Sequence, residues 1–359
     1  MWYNIDIEKA VDNNMNHEVI KKQKLLDKKG NLNEPGYSKV EVFEYDRKQI
    51  KVPKYKIKEW DYYFVGNKNY GLCLTFGDNG YVGSLSFTHL DFNNRSEIDG
   101  ADIVAFPMGK FKLPNTSSIG NAEFKTKKTE IHFDNDGKVR HLYGKRIEFA
   151  PGKDLIFDIE LYNAPEESMF IATPFKKKKH FYYNQKINCL EVRGYYQIGE
   201  DRYELNKENG SLGVLDWGRG VWTYENTWYW GSLSTYLEDG TRVGFNLGYG
   251  FGDTSAASEN MIFYDGKAHK TDLVDFGIPG DKEGKPRFMD EWNFTSNDNR
   301  VNLKFTPIYD RNTPLDLGLI AMLPHQVFGL FNGTLVLDDG KVVELKDALG
   351  FAEKVHNKW

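Results

Sequence analysis

The feature that most constrains the fold of this chain is a stretch in which large apolar side chains alternate with small or polar ones. Between Arg242 and Phe251 the alternation is unbroken. Because successive side chains of a β-strand point to opposite faces, this pattern predicts a strand with one apolar face. The run Trp228 to Leu237 precedes it, and Glu238-Asp239-Gly240 between the two suits a tight hairpin turn. The two runs therefore predict an antiparallel pair.

The other face of the predicted strand carries three glycines, Gly244, Gly248 and Gly250. A glycine inside a strand leaves room where something else approaches the backbone. We expect either a ligand or the indoles of Trp228 and Trp230 to fill this room.

Hairpin signals recur along the chain. Asp78-Asn79-Gly80, Asp134–Gly137 and Asp338-Asp339-Gly340 each separate two strand-like runs. Aromatic residues make up 15% of the chain, which favours many short strands, and 359 residues exceed the size at which one core usually keeps growing. The sequence predicts an all-β protein with an N-terminal arm (1–36), a first antiparallel barrel or sandwich (37–200) and a second antiparallel barrel (201–359).

Two segments interrupt the strand pattern. Residues 93–121 are rich in Gly, Pro, Asn and Ser, and we interpret them as a long loop, a kind of segment that often serves as a lid. The run Lys176–Lys179 suggests an anion site. A basic surface turn between strands is the simpler interpretation of this run.

Composition narrows the classes of function. The formal net charge is −5, and no basic excess points to nucleic acid as a partner. No apolar run is long enough to span a bilayer, and the acidic N-terminus does not resemble a secretory signal, so we expect a cytoplasmic protein. Cys73 and Cys189 lie in separate strand-like runs, which favours buried free thiols over a disulfide framework. The sequence leaves the oligomeric state open.

We expect no cofactor. The eight histidines are scattered without the spacing of metal ligands, and the chain has no phosphate-binding loop or dinucleotide fingerprint. The predicted partner is a small-molecule ligand or substrate, which the side chains of the protein bind or convert without a cofactor.

The stretch from Asp216 to Trp230 has the highest concentration of residues suited to a site. It holds four of the eight tryptophans together with Arg219. Tryptophan offers a broad apolar face with one N–H donor, and a guanidinium stacks on rings or grips a carboxylate in two bonds. Because Arg219 follows Asp216 by three residues, we predict that the two form a pair in which Asp216 stays ionised. The alternative is a buried structural pair, with Trp222, Trp228 and Trp230 as core.

Further candidates lie elsewhere in the chain. Trp60 and Asp61 repeat the combination of an indole and an acid, which suits either a second wall of the same pocket or a strand whose acid faces water. Glu259 and His325 are the groups of the second half best suited to proton transfer, although a structural role explains each of them as well. The amides that we expect to contact a ligand are those of Asn246 and Asn260.

Several motifs occur in a characteristic order along the chain. They are Pro35-Gly36-Tyr37, Lys58 through Tyr63, Asp216 through Trp222, Glu259-Asn260 and His325 through Gly329. In this order, from about residue 24 to the C-terminus, the chain resembles the bacterial family called domain of unknown function 2804. That family is distantly similar to two-domain calycin-like proteins, which include carotenoid hydratases, tocopherol cyclases and fungal Diels–Alder cyclases. The resemblance implies two lipocalin-like antiparallel barrels with few short helices, a ligand cavity and cofactor-free chemistry on an apolar, often isoprenoid, substrate. It transfers no catalytic residue.

Three classes of function are consistent with these residues. An acid among apolar neighbours resists ionisation and can donate a proton near neutral pH. Glu259 or Asp61, together with the ionised Asp216, would suit a cofactor-independent lyase, hydratase, isomerase or glycoside-cleaving enzyme. The second class is a binding protein whose aromatic cavity encloses a sugar or an apolar ligand without chemistry. The third, a structural or interaction module, predicts an exposed apolar patch instead.

Overall fold

The computed structural model describes residues 16–316, 318 and 320–358, and these residues form β-structure almost throughout. Short 3-10 helical turns occur at Arg47–Gln49 and Lys54–Lys56. Near the N-terminus, β1 (Gln23–Lys24) pairs in parallel with β3 (Phe43–Glu44). The remaining strands form two large sheets.

The first large sheet contains the following strands: β2 (Gly36–Ser38), β4 (Ile57–Gly66), β5 (Tyr70–Asp78), β6 (Val82–Asp91), β7 (Ser96–Ala105), β8 (Gly120–Lys125), β9 (Thr129–Asn135), β10 (Arg140–Ala150), β11 (Lys153–Tyr162), β12 (Met169–Pro174), β13 (Phe181–Ile198), β14 (Asp201–Leu205) and β15 (Leu212–Val221). Its main path runs β7-β6-β5-β4-β15-β13-β11-β10-β9-β8, with β12 and β14 paired to β13 and β2 paired to β12. All of these pairs are antiparallel.

The second large sheet contains the following strands: β16 (Glu225–Tyr236), β17 (Arg242–Tyr249), β18 (Met261–Tyr264), β19 (Lys267–Lys270), β20 (Val274–Asp275), β21 (Trp292–Ser296), β22 (Val301–Arg311), β23 (Leu315–Asp316), β24 (Ala321–Val336) and β25 (Val342–Lys358). Its path is β19-β18-β17-β16-β25-β24-β22-β21-β20, with β23 paired to β24, and the pairs are again antiparallel. Both sheets curl into antiparallel half-barrels, so the predicted all-β class with two antiparallel units is confirmed.

The chain passes from the first sheet to the second between Val221 and Glu225, later than the predicted change near residue 200. The polar residues 206–211, which follow the predicted boundary, form the turn between β14 and β15 of the first sheet. Composition could not distinguish this turn from a linker, because β15 is recognised as part of the first sheet only through its pairing with β4 and β13. The predicted loop over residues 93–121 is also partly wrong, since β7 occupies Ser96–Ala105 and pairs with β6.

Each half-barrel has its own apolar core, and two smaller apolar clusters lie where the two sheets face each other. The predicted strand at Arg242 is β17, which pairs with β16 as expected. Its residues Val243, Phe245 and Leu247 point into the second core, so its other face, with Asn246, points toward the first sheet. The space between the sheets is therefore lined by alternate residues of β4, β13, β15, β16, β17 and β25.

Two further expectations concern the state of the two cysteines and the presence of a membrane-spanning segment. Cys73 and Cys189 are both buried and free, as predicted, and burial raises the pKa of Cys73 to about 11. None of the helices in the described ranges has the length and apolar character needed to cross a membrane.

Candidate functional site

The two-residue period of strands sorts the predicted site residues onto two faces. On β15, Asp216 and Gly218 face the second sheet, whereas Trp217 and Arg219 face the inside of the first half-barrel. On the neighbouring β4, Trp60 and Asp61 are divided in the same way. The predicted pair between Asp216 and Arg219 is therefore wrong, because residues three apart on a strand point to opposite faces.

Arg219 instead organises a polar network inside the first half-barrel. Its guanidinium donates to Asp61 Oδ1 at 2.8 Å and to the carbonyls of Trp60 and Pro114, and it stacks 4.0 Å from the Trp217 ring centroid. Burial raises the pKa of Asp61, and Arg219 opposes that rise. A cavity of about 20 Å³ beside Asp61 has room for one water molecule. Arg219 thus forms a buried structural pair, with Asp61 as the partner rather than Asp216.

Asp216 belongs to a second group of polar side chains between the two sheets. Lys186 Nζ on β13 lies 2.8 Å from Asp216 Oδ2, and Asn184 Nδ2 donates to Asp216 Oδ1 at 2.6 Å. The same ammonium lies 3.7 Å from the centroid of the Trp230 ring, which belongs to the second sheet. We define the interface cluster as Lys186, Asp216, Glu259, Glu353, Asn246, Trp228 and Trp230.

Glu353 on β25 is a carboxyl held by neutral donors. Trp228 Nε1 donates to Glu353 Oε1 at 2.8 Å, and Gln326 Nε2 donates to Oε2 at 3.2 Å. Burial raises the pKa of Glu353 to about 7, with a further rise from Asp216, while Lys186 opposes it. Glu353 is therefore poised between its protonated and ionised forms near neutral pH.

Glu259 occupies the room left by Gly248 on β17. A Cβ at Gly248 would lie 2.5 Å from Glu259 Oε1, so the predicted space above the strand is filled by this carboxyl. Burial raises the pKa of Glu259, and a long hydrogen bond of 3.4 Å from Asn246 opposes the rise. Trp230 Nε1 in turn donates to Asn246 Oδ1 at 2.6 Å. A Cβ at Gly244 would lie 2.8 Å from Cys189 Sγ, and one at Gly250 would lie 3.5 Å from Tyr229 Cδ2. The expectation that the indoles of Trp228 and Trp230 fill the room left by the three glycines is therefore wrong.

Aromatic rings enclose the cluster on one side. Trp60 stacks on Tyr182 at 6.1 Å and meets Trp222 edge-on at 5.1 Å, and Trp222 packs against Trp228 at 6.0 Å. The Trp60 ring lies directly over Gly218, where a Cβ would be 1.9 Å from the ring. The glycine of the Asp-Trp-Gly-Arg-Gly motif is therefore required for the aromatic wall.

Several buried polar atoms around the cluster have no hydrogen-bond partner within the described part of the chain. They include Trp222 Nε1, Asn184 Oδ1 and both side-chain amide atoms of Asn357. Asn357 is fully buried and lies on the same face of β25 as Glu353. Because nearly all buried polar groups in proteins are paired, these unpaired atoms have the capacity to bind polar ligand atoms or water.

The structure brings together Asp216, Glu259, Asn246 and the predicted tryptophans, but not the remaining candidates. Asn260 is occupied by the backbone, since Oδ1 accepts from Gly248 N at 2.7 Å and Nδ2 donates to Asp272 O at 2.7 Å. His325 lies on the opposite face of β24 from Gln326, 2.8 Å from Asp310 and stacked on Phe288. Asp61 and Arg219 lie inside the first half-barrel.

Lys186 and Glu353 were missed by the sequence analysis. Each is a single charge on the face of a strand whose neighbours two positions away carry no charge. These neighbours are Asn184 and Asn188 on β13 and Phe351 and Val355 on β25. A charged side chain on such a buried face requires an ion-pair or hydrogen-bond partner inside the protein. Among the described residues, no group of three or more His, Cys, Asp or Glu side chains is arranged to hold a metal ion.

The raised pKa of Glu353 predicts that the contribution of this residue to the free energy of unfolding decreases as the pH rises. The pKa returns to about 4.5 on unfolding, so the folded state binds the proton more tightly. Its contribution is fully present below about pH 4.5 and is lost as the pH rises through about 7. We expect the free energy of unfolding of wild type, relative to Glu353→Gln, to fall by up to ~1.4 kcal/mol per unit between about pH 5 and 7. Urea denaturation of both proteins measures this, and a constant difference would contradict it.

Comparisons with solved structures give distant likenesses. A protein of Nitrosomonas europaea provisionally assigned as AttH is 13% identical, with a TM-score of 0.49 over 83% of this chain and 92% of the other. Kievitone hydratase of Nectria haematococca is 9% identical, with a TM-score of 0.42 over 84% and 88%. CghA in complex with Sch210972 is 11% identical, with a TM-score of 0.43 over 93% and 97%. The geometry described above does not rest on these likenesses.

The sequence comparisons give a family but no characterised relative. No curated protein matches the chain at a significant level. The family resemblance noted in the sequence is confirmed over residues 16–359, which is longer than the span from about residue 24 that the motifs indicated. The chain belongs to the family described as domain of unknown function DUF2804.

Proposed function

We propose that the interface cluster is the active site of a cofactor-independent acid–base enzyme. The observation that carries the proposal is the combination, in one buried aromatic site, of a carboxyl with a pKa of about 7 and a carboxylate held by an ammonium group. A pKa near the operating pH suits a group that both gives and takes a proton. The reaction classes that fit are those of a lyase, hydratase, isomerase or glycoside-cleaving enzyme.

The two carboxyls have different roles because their surroundings differ. Lys186 and Asn184 both contact the Asp216 carboxylate, and we assign Asp216 as the base on that geometry. Glu353 is held by neutral donors and disfavoured as an anion by burial and by Asp216, so it is the proton donor. Glu259, whose pKa burial also raises, is a further carboxyl beside them. Carboxyls in different surroundings are how one site supplies an acid and a base together.

The substrate class follows from the walls of the site. Indole faces accept both sugar rings and isoprenoid-like chains. Asn357 and the N–H of Trp222 add polar contacts that favour a small hydroxylated ligand. Trp60, Trp222 and Trp228 are half-buried, and a ligand reaches the cluster by displacing one of these rings. The predicted cytoplasmic location, with its reducing conditions, is part of this proposal.

A binding protein without chemistry is the second candidate. The unpaired polar atoms beside the tryptophans favour it, because they would serve a bound ligand equally well without proton transfer. Turnover of a bound compound distinguishes the two functions.

The test is a thermal-shift screen against saccharides with their acids and against terpenoid and fatty compounds. A ligand at 100 times Kd that binds only the native state should add about 2.7 kcal/mol of stability. Trp222→Phe removes the unpaired N–H but keeps a ring, and we expect it to weaken binding roughly tenfold. Trp292→Phe is the matched control, because Trp292 is buried in the core of the second half-barrel.

Two outcomes of the screen would count against the interface cluster. Equal weakening in Trp222→Phe and Trp292→Phe would indicate a general effect of lower stability. Binding that persists in Trp222→Phe but disappears in Asp61→Asn would place the ligand inside the first half-barrel.

A further inference from the structure

A cleft lined by lysines lies at the surface, outside the interface cluster. It has a volume of about 680 Å³ and is formed by three separate segments of the chain. Its lining residues are Asp27, Lys28, Lys29, Asn31, Lys51, Lys178 and Lys179, which we call the lysine cleft. Lys178 and Lys179 belong to the basic run between β12 and β13. The simpler interpretation of this run from the sequence is a basic surface turn.

Specific contacts hold the lysine-bearing segments together. Gly30, at φ +85°, packs so closely on Lys51 that a Cβ there would lie 2.9 Å from Lys51 Cγ. The backbone N–H of Lys179, itself at φ +63°, donates to Asn31 Oδ1 at 3.3 Å. A left-handed backbone at a non-glycine residue is unfavourable and persists only where surrounding contacts impose it. The cleft is therefore a defined part of the fold.

The charges of the lysine cleft are not neutralised by the protein. Across the described residues, none of its five lysines takes part in an ion pair. The carboxylate of Asp27 accepts the backbone N–H groups of Lys29 and Asn31 at 2.8 and 2.9 Å, which lower its pKa. The surrounding charge is positive as well, since Lys177 and Lys56 add to the effect of burial in lowering the pKa of His180.

Five ammonium groups around one cleft repel each other, in a chain whose net charge is −5. We propose that the lysine cleft binds a small molecule carrying an oligophosphate group, with two or more linked phosphates. Lysine is a point-charge donor that suits phosphate oxygens, and a volume of about 680 Å³ lies in the range of small-molecule sites rather than of a single ion. The chain as a whole carries a formal net charge of −5, which argues against a nucleic-acid-binding surface.

The test is isothermal titration calorimetry of the full chain with orthophosphate, pyrophosphate and tripolyphosphate. We expect affinity to rise in that order and to fall as salt is added, because the attraction is electrostatic. The triple variant Lys51→Gln/Lys178→Gln/Lys179→Gln should weaken tripolyphosphate binding by at least roughly tenfold. The matched control is Lys138→Gln/Lys145→Gln/Lys346→Gln, which makes the same charge change at exposed lysines elsewhere and should retain affinity within about twofold.

Three results would overturn the proposal. They are no binding of tripolyphosphate at low salt, an equal loss in both triple variants with circular dichroism unchanged, and binding to phosphatidylserine vesicles without binding of free tripolyphosphate. The last would favour a membrane surface as the partner. The proposal is independent of the interface cluster, so Trp222→Phe should bind tripolyphosphate like wild type.

Discussion

Glu353→Gln is expected to lower the turnover of an identified substrate by about 10²–10⁴-fold, because a positioned proton donor contributes an effect of that size. The amide preserves the shape of the side chain and its ability to accept from Trp228 Nε1, but it cannot give up a proton. The loss should appear in kcat and in kcat/KM alike, since the proton moves in the transition state. Steady-state kinetics on a substrate from the ligand screen measure it, with Asp216→Asn expected to show a loss of similar size.

Glu97→Gln is the matched control for this prediction. Glu97 is another partly buried carboxyl whose pKa is raised by burial and by Asp99, but it pairs with Arg311 outside the interface cluster. Its variant should stay within about threefold of wild type, well below the effect of a general acid. If Glu353→Gln and Glu97→Gln have the same turnover, the assignment of the proton donor to Glu353 is wrong.

Lys186→Met is expected to destabilise the protein by about 3–5 kcal/mol at neutral pH, because it leaves the buried Asp216 carboxylate without its cation. Asn184 remains as a neutral donor and compensates only in part. The two charges are almost fully buried, with side-chain exposures of 4% for Lys186 and 10% for Asp216, so solvent does not take over the role of the lysine. Urea denaturation at neutral pH gives the free energy of unfolding.

The double variant Lys186→Met/Asp216→Leu separates the loss of a partner from the loss of packing. Replacing both members of a buried ion pair by apolar residues of similar volume is often close to neutral, so the double variant should be more stable than Lys186→Met alone. A double variant that is less stable than the single one would show that Asp216 stabilises the fold without Lys186, through contacts such as its hydrogen bond from Asn184.

Local chemistry in the sequence determined the secondary structure and the class of the fold. Alternating side chains define a strand with two unlike faces, and this is why β17 and its hairpin with β16 could be predicted from Arg242 and the turn at Gly240. The same alternation, applied to β15, separates Asp216 from Arg219. That separation was available from the sequence once the stretch was recognised as a strand rather than a loop.

Only the tertiary structure decided which charges meet. Lys186, Asp216, Glu259 and Glu353 come from four segments far apart in sequence, and the facing of the two sheets brings them together. The raised pKa values of Glu259 and Glu353 depend on burial, which no local pattern gives, because burial is created by the opposite sheet. The position of the sheet change after Val221 has the same cause, since pairing with β4 and β13 is a non-local property. The sequence by itself thus determined the strands and the aromatic and acidic composition of the site, and the packing of one half-barrel against the other selected the residues that form it.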